Sequence, residues 1–306
     1  MGGGPRDGWD FGPLGGTYIS FILSSADVNG NGRSVSTMRN VKTFAALLLS
    51  SVFLFVSQAT RLSASPAFDA LGSLPGSIVP DIPQVSAPAS AEGPKRGGQL
   101  NSYFISVGQG DSEYIELPNG KNVLIDGGPN PTTSISTFLS QHNVTHLNYV
   151  VLTHPHSDHF AGLVYVFNHI KVDTFYDTRE ENAGAVTIKN LRDKIPTLGT
   201  NVVYPEAGQD LDWDPGEVEA KVLNSCSNPG SSSDGGVLNN CSIVIKVTYQ
   251  NTSILYTGDM QSDTESKLVS TYGDQLRSDV LKVGHHGSPT ASSTAFLNAV
   301  HPKVAY

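Results

Sequence analysis

Charge is scarce in this chain, cysteine scarcer still, and no apolar run is long enough to cross a bilayer comfortably. Charged residues make up 15% of the 306 positions and leave a net charge of −9. That balance argues against a nucleic-acid partner held by a broad basic surface. It leaves a nucleic-acid substrate open, because metal cations bound at a site invert the charge locally. The two cysteines, Cys226 and Cys241, enclose a loop of Ser, Gly, Asn and Pro. In an oxidising compartment they would pair and tether that loop; otherwise they are two thiols, and their number does not decide. The apolar run from Phe44 to Val56 is short for a membrane-spanning helix. No internal repeat is present, and no serine or cysteine nucleophile is signalled.

The chain does hold 38% hydrophobic residues, 31 glycines and 18 prolines. That suits one large α/β domain or two small ones, rich in turns. Residues 1–37 are rich in Gly, Ser and Asn without sustained periodicity, and read as disordered or as a gene-model extension ahead of a true start at Met38. The basic Met38–Lys42, the apolar Phe44–Val56 and the small-x-Ala stretch Ser57-Gln58-Ala59 form the pattern of a secretory signal peptide over 38–60. A buried or anchoring helix is the alternative. Residues 61–97, dominated by Ser, Pro, Ala and Gly, read as a flexible linker or propeptide. The expected protein is secreted or extracellular, with no transmembrane anchor once the signal is removed. Sequons at Asn143, Asn240 and Asn251 are compatible with that route.

Residues 98–306 read as α/β. Short β-rich runs at Leu100–Val107, Glu113–Leu117 and Asn122–Ile125 precede a helix at Thr133–His142 and a continuous apolar strand at Leu147–Leu152. Helices follow at Gly162–Ile170, Ala185–Lys194, Ser262–Tyr272 and Ser292–Ala299. Further strands lie near Asn201–Tyr204, Glu217–Leu223 and Val280–Val283. A hairpin joins Ser242–Tyr249 to Thr252–Thr257 across Gln250-Asn251. Lys303–Tyr306 looks like the start of another strand, which predicts a chain truncated at its C-terminus.

The segment Val150-Val151-Leu152-Thr153-His154-Pro155-His156-Ser157-Asp158-His159 carries the chemistry. An apolar strand ends and delivers three histidines and an aspartate into a loop. Extended backbone would point His154, His156 and Asp158 the same way, with His159 reaching in from the next helix. Imidazole and carboxylate together suit zinc, manganese or iron. Chance yields this pattern in on the order of one in two thousand chains this long. Other strand ends add Asp126 before Gly127-Gly128, Asp259 after Thr257-Gly258, and His285-His286 after Gly284. Open α/β sheets place their sites at such carboxyl ends.

With Val107-Gly108-Gln109-Gly110-Asp111-Ser112 and Asp279–Ser288 added, residues from about 100 onward resemble the metallo-β-lactamase superfamily. Within it they resemble the hydrolase domain of ComEC-type competence proteins. The resemblance implies an αββα sandwich carrying two divalent metals, zinc or manganese. His154 and His156 would hold the first ion, Asp158 and His159 the second, and Asp259 would bridge. A histidine of the His285-His286 pair would complete the second site, with His285 favoured for its place beside Gly284. Asp126 would order the ligands. Gln109 and Asp111 belong to a loop expected near the site, where Asn240, Lys282 and Ser288 are also candidates for substrate contact. Many members carry a third histidine for the first metal; here that stretch is Asn239-Asn240-Cys241-Ser242, in keeping with the competence type. The implied activity is hydrolysis by metal-activated hydroxide, with Asp158 orienting the nucleophile or shuttling its proton. The implied partner is a small-molecule or nucleic-acid substrate, foremost a phosphodiester, rather than a stable nucleic-acid complex. A lactone or ester hydrolase and a non-catalytic metal-binding module are the alternatives.

Overall fold

The short β-rich runs fall into two mixed sheets. A computed structural model describes residues 18–24, 98–129 and 134–306. The expected signal peptide and the linker at 61–97 lie outside the described residues. Among the latter, no helix is long and apolar enough to cross a membrane.

In chain order the first strands are β1 (Tyr18–Ser24), β2 (Gln99–Ile105), β3 (Glu113–Glu116), β4 (Asn122–Ile125), β5 (His146–Val151), β6 (Lys171–Tyr176), β7 (Glu181–Asn182) and β8 (Asn201–Val203). All but β7 form a seven-stranded sheet in the order β1-β2-β3-β4-β5-β6-β8. Then come β9 (Asp210–Asp214), β10 (Val218–Asn224), β11 (Ser231–Ser232), β12 (Val244–Tyr249), β13 (Thr252–Tyr256), β14 (Val280–Leu281) and β15 (Val304–Ala305). All but β11 form the second sheet, β15-β14-β13-β12-β10-β9, while β7 and β11 pair with each other. The helices are α1 (Ser134–Gln141), α2 (Ser157–His169), α3 (Val186–Lys194), α4 (Gly235–Asn240), α5 (Ser262–Tyr272) and α6 (Thr294–Val300).

Local chemistry explains the joins. Gly120, with φ of 83°, lets the Asn119-Gly120 turn close β3 onto β4. Val150, Val151 and Leu152 are fully buried, as a central parallel strand covered on both faces requires. β4, β5, β6 and β8 run parallel, so each ends at the same edge.

Burial drives the layering. Leu100, Phe104, Ile115 and Ile125 of the first sheet share one apolar cluster with Trp213, Val222, Ile245, Ile254 and Tyr256 of the second. Ile135, Phe138, Leu163, Phe167 and Leu191 from α1, α2 and α3 cover the first sheet's other face. Leu268, Phe296 and Val300 from α5 and α6 cover Leu255 and Leu281 of the second. Each such side chain contributes about 1.5–3 kcal/mol of burial. The layers are the αββα sandwich expected from the sequence.

The elements depart from that expectation in several places, β6 and β9 among them as strands the sequence did not mark. β1, in a segment without local periodicity, pairs antiparallel with β2 from Tyr18 opposite Ile105 to Ser24 opposite Gln99. α2 begins at Ser157 rather than Gly162, so Asp158 and His159 both sit in its first turn. α4, also unexpected, fills the segment between Asp234 and Cys241.

Candidate metal centre

Four strand ends converge. Asp126 follows β4, and its φ of 56° turns the chain sharply toward α2. His154 leaves β5 two residues after Leu152; Asp259 follows β13, and His286 lies in the turn after β14. His154, His159, Asp126 and Asp259 are buried to within 1% of full coverage.

The distances define two groups sharing one carboxylate. His154 Nε2 lies 2.9 Å from His156 Nδ1 and 3.7 Å from Asp259 Oδ2. His159 Nε2 lies 3.3 Å from that oxygen and His286 Nε2 3.2 Å from it. Asp158 Oδ2 is 3.4 Å from His286 Nε2. Behind this shell, His159 Nδ1 meets Asp126 Oδ2 at 2.7 Å. Asp126 also accepts from the Thr153 amide at 2.8 Å and the Thr153 hydroxyl at 2.6 Å.

The donors fit divalent cations. His154, His156 and Asp259 form one set whose ligand atoms lie within 4.8 Å of one another; His159, Asp259, His286 and Asp111 form a second. His159 Nε2, His286 Nε2 and Asp259 Oδ1 are buried without a hydrogen bond, which is costly unless something else satisfies them. Two imidazole nitrogens 2.9 Å apart repel through their lone pairs unless a proton or a cation lies between. Nitrogen and carboxylate donors in this mix suit zinc, manganese or iron.

The electrostatics agree. Burial opposes charge on His159, yet Asp259 and Asp126 hold its pKa well above the usual imidazole value. Burial likewise works against His286, but the carboxylates of Asp111, Asp158 and Asp259 around its ring raise it to about 11. Burial would raise Asp259, and the facing histidines instead hold it far below the carboxylate range. Burial, with His159 beside it, pushes His154 well below. The pocket therefore demands positive charge at the Nε2 atoms of His159 and His286 and a neutral ring at His154.

Not every expected residue arrives. His285 does not join the groups: its Nδ1 meets Thr290 Oγ1 at 2.7 Å and its Nε2 lies 3.5 Å from Asn239 Nδ2. Both histidines take left-handed backbone, φ 48° and 51°, and that turn sends His286 inward instead. Asn240 faces away, its Oδ1 accepting from Gln261 N at 3.0 Å and Thr264 Oγ1 at 2.9 Å. Its neighbour Asn239 is buried, with its amide nitrogen turned toward the His285 ring, because one residue along a helical turn rotates the side chain by about 100°. Lys282 is buried against Asp111 at 2.8 Å, so neither offers a surface for substrate. Ser288 Oγ is tied to Thr290, and Gln109 is exposed on its loop. No spacing in the sequence marks Thr153, and Asn239 stands beside a second asparagine that carries the sequon. Cys226 and Cys241 pair as a disulfide.

The profile of the metallo-beta-lactamase superfamily matches residues 105–306. The chain belongs to this superfamily. Over 209 residues it is 31% identical to "Competence protein ComA" of Neisseria gonorrhoeae, a match covering 65% of this chain and 25% of that protein. Over 224 residues it is 25% identical to "ComE operon protein 3" of Bacillus subtilis (strain 168), covering 66% of this chain and 27% of that protein. The competence-type resemblance read from the motifs is thus borne out, and the chain spans about a quarter of the length of these curated relatives. Among solved structures it is similar to a metallo-beta-lactamase from Hirschia baltica, at 16% identity and TM-score 0.39, covering 66% of this chain and 92% of that one. It is also similar to a diphosphatase of the PhnP family, at 16% identity and TM-score 0.38, covering 65% and 72%.

Proposed function

We propose that this metallo-beta-lactamase superfamily chain is a secreted, metal-dependent hydrolase of phosphodiesters. The observation that carries the hydrolase reading is the sharing of Asp259 between the His154–His156 group and the His159–His286 group. Two divalent cations held there would supply a nucleophile at neutral pH and polarise the substrate oxygen under attack. His154, His156 and Asp259 would hold one, and His159, His286, Asp259 and Asp158 the other. Asp158 is the partly exposed carboxylate of the set. Burial alone would raise it, but His286 and His159 hold it below the ordinary range, and as a carboxylate it would orient the attacking water or take up its proton. Thr153 and Asp126 keep His159 oriented from behind.

The phosphodiester class is supported by the competence proteins among the relatives. It also suits two cations flanking the attacking and leaving oxygens of an in-line displacement. Secretion is supported by the signal pattern at Met38–Ala59 and by the Cys226–Cys241 disulfide, a bond of oxidising compartments.

Elemental analysis of the purified chain tests the centre. The expected result is two divalent ions per chain, lost in a His154→Ala, Asp259→Ala double variant together with cleavage of bis(p-nitrophenyl) phosphate. A folded chain with one ion or none overturns the two-ion centre. Two ions with turnover of lactones or carboxylic esters alone overturns the phosphodiester class.

A further inference from the structure

His159 and His286 are held in the same way. His159 turns Nε2 toward Asp259 and Nδ1 to a buried carboxylate, Asp126 Oδ2, at 2.7 Å. His286 turns Nε2 toward the same Asp259 oxygen and Nδ1 to Asp111 Oδ1 at 3.1 Å. A ring whose Nδ1–H donates to a carboxylate keeps one tautomer, and its Nε2 lone pair is left for a cation.

The two carboxylates differ in what steadies them. Asp126 is fixed by Thr153, whereas Asp111 is fixed by a lysine. Lys282 Nζ lies 2.8 Å from Asp111 Oδ1 and donates to the Val283 carbonyl at 2.8 Å. Asp111 is 2% exposed and Lys282 6%, so a buried ion pair stands directly behind the His286 ring. Buried pairs add little net stability over apolar replacements; its placement against Nδ1 gives it another use. His286 also needs holding, because its φ of 51° lies in the left-handed region that non-glycine residues adopt at a cost.

We propose that Asp111, anchored by Lys282, is the positioning residue for His286, the counterpart of Asp126 behind His159. The assignment rests on the metal-centre reading above. It gives the Val107–Ser112 loop a role in assembling the centre rather than in touching substrate.

The test is zinc affinity by chelator competition, with the thermal midpoint of the metal-free chain as a folding check. Wild type, Asp111→Ala, Lys282→Met, Lys282→Arg and His286→Ala are compared. In Asp111→Ala and Lys282→Met, one of the two ions should bind roughly 10–100-fold more weakly, with the other unchanged. Lys282→Arg should restore the affinity, which a general packing defect would not allow. Imidazole nitrogen NMR of zinc-loaded wild type should show His286 protonated at Nδ1. Unchanged affinities in Asp111→Ala with two ions in wild type overturn this assignment alone. Loss of an ion as complete as in His286→Ala also overturns it, by making Asp111 a ligand. Failure of wild type to take up two ions overturns the centre itself, and the assignment with it. If Asp111→Ala does not fold, Lys282→Met against Lys282→Arg decides.

Discussion

Gly127 and Gly162 pack backbone against backbone, so closely that a β-carbon on Gly162 would lie 1.8 Å from the Gly127 carbonyl oxygen. The Gly127 amide donates to the His159 carbonyl at 2.7 Å, and the Gly162 amide to the Gly128 carbonyl at 3.0 Å. This contact holds the turn after β4 against the first turns of α2, and so brings Asp126 to His159. Gly162→Ala must push the two segments apart. The expected loss is about 3 kcal/mol, or roughly 6–12 °C in thermal midpoint for a domain of this size. Metal affinity should fall with it, because the Asp126–His159 bond stretches. A shift under about 2 °C in calorimetry would sink the argument.

Adjacent histidines after β14 should behave differently. His286 faces Asp259 and Asp158, while His285 is tied to Thr290. His286→Ala is expected to lose one ion per chain and to lower turnover of a phosphodiester at least about 100-fold, the scale of a lost catalytic group. His285→Ala should keep both ions and lose less than about tenfold, as expected of an outlying contact. Metal analysis of the two variants side by side decides it; the reverse order would put His285 at the centre.

Much of this was legible from the sequence, and the limits have physical causes. β5 could be read because Val150, Val151 and Leu152 form an unbroken apolar run and a ligand-rich loop follows at once. Asp126 and Asp259 were legible for the same reason. The choices between His285 and His286, and between Asn239 and Asn240, were not. Each turns on one residue of backbone rotation, set by a left-handed turn in one case and a six-residue helix in the other. α4 opens with Gly235-Gly236 and is too short to show a period. β1 escaped because its pairing partner lies some 75 positions away at Gln99, and strand pairing across such a distance leaves no local mark.

The two asparagines give a further pair. Asn240 Oδ1 accepts the Gln261 amide at the start of α5, where Gln261 provides no side-chain cap of its own. Asn240→Ala should cost about 1 kcal/mol, as a lost helix cap does, and leave metal content intact. Asn239, whose buried amide favours charge on the His156 ring, should act in the opposite way. Asn239→Ala is expected to weaken one ion by about tenfold or more with little change in unfolding midpoint. Urea unfolding and zinc titration on both variants separate the roles; equal effects on metal would mean that both residues serve the centre.

The disulfide should be worth most to the rim of the centre. Cys226 and Cys241 are 15 positions apart and bracket α4, which carries Asn239. Cys226 leads into the stretch where Gly230 N bonds to the Glu180 carboxylate. β11 in that stretch pairs with β7, and Asn182 of β7 donates to the Pro155 carbonyl at 3.0 Å, inside the ligand loop. Cross-linking a loop of this length restricts the unfolded chain by about 3 kcal/mol. A Cys226→Ser, Cys241→Ser variant should therefore melt roughly 6–12 °C lower. Reductant should lower wild type to the same midpoint and leave the variant unmoved. Metal content should survive, since no ligand is lost, while turnover falls as the rim loosens. Equal midpoints for wild type with and without reductant, together with two titratable thiols in the native chain, would show that the pair is not closed.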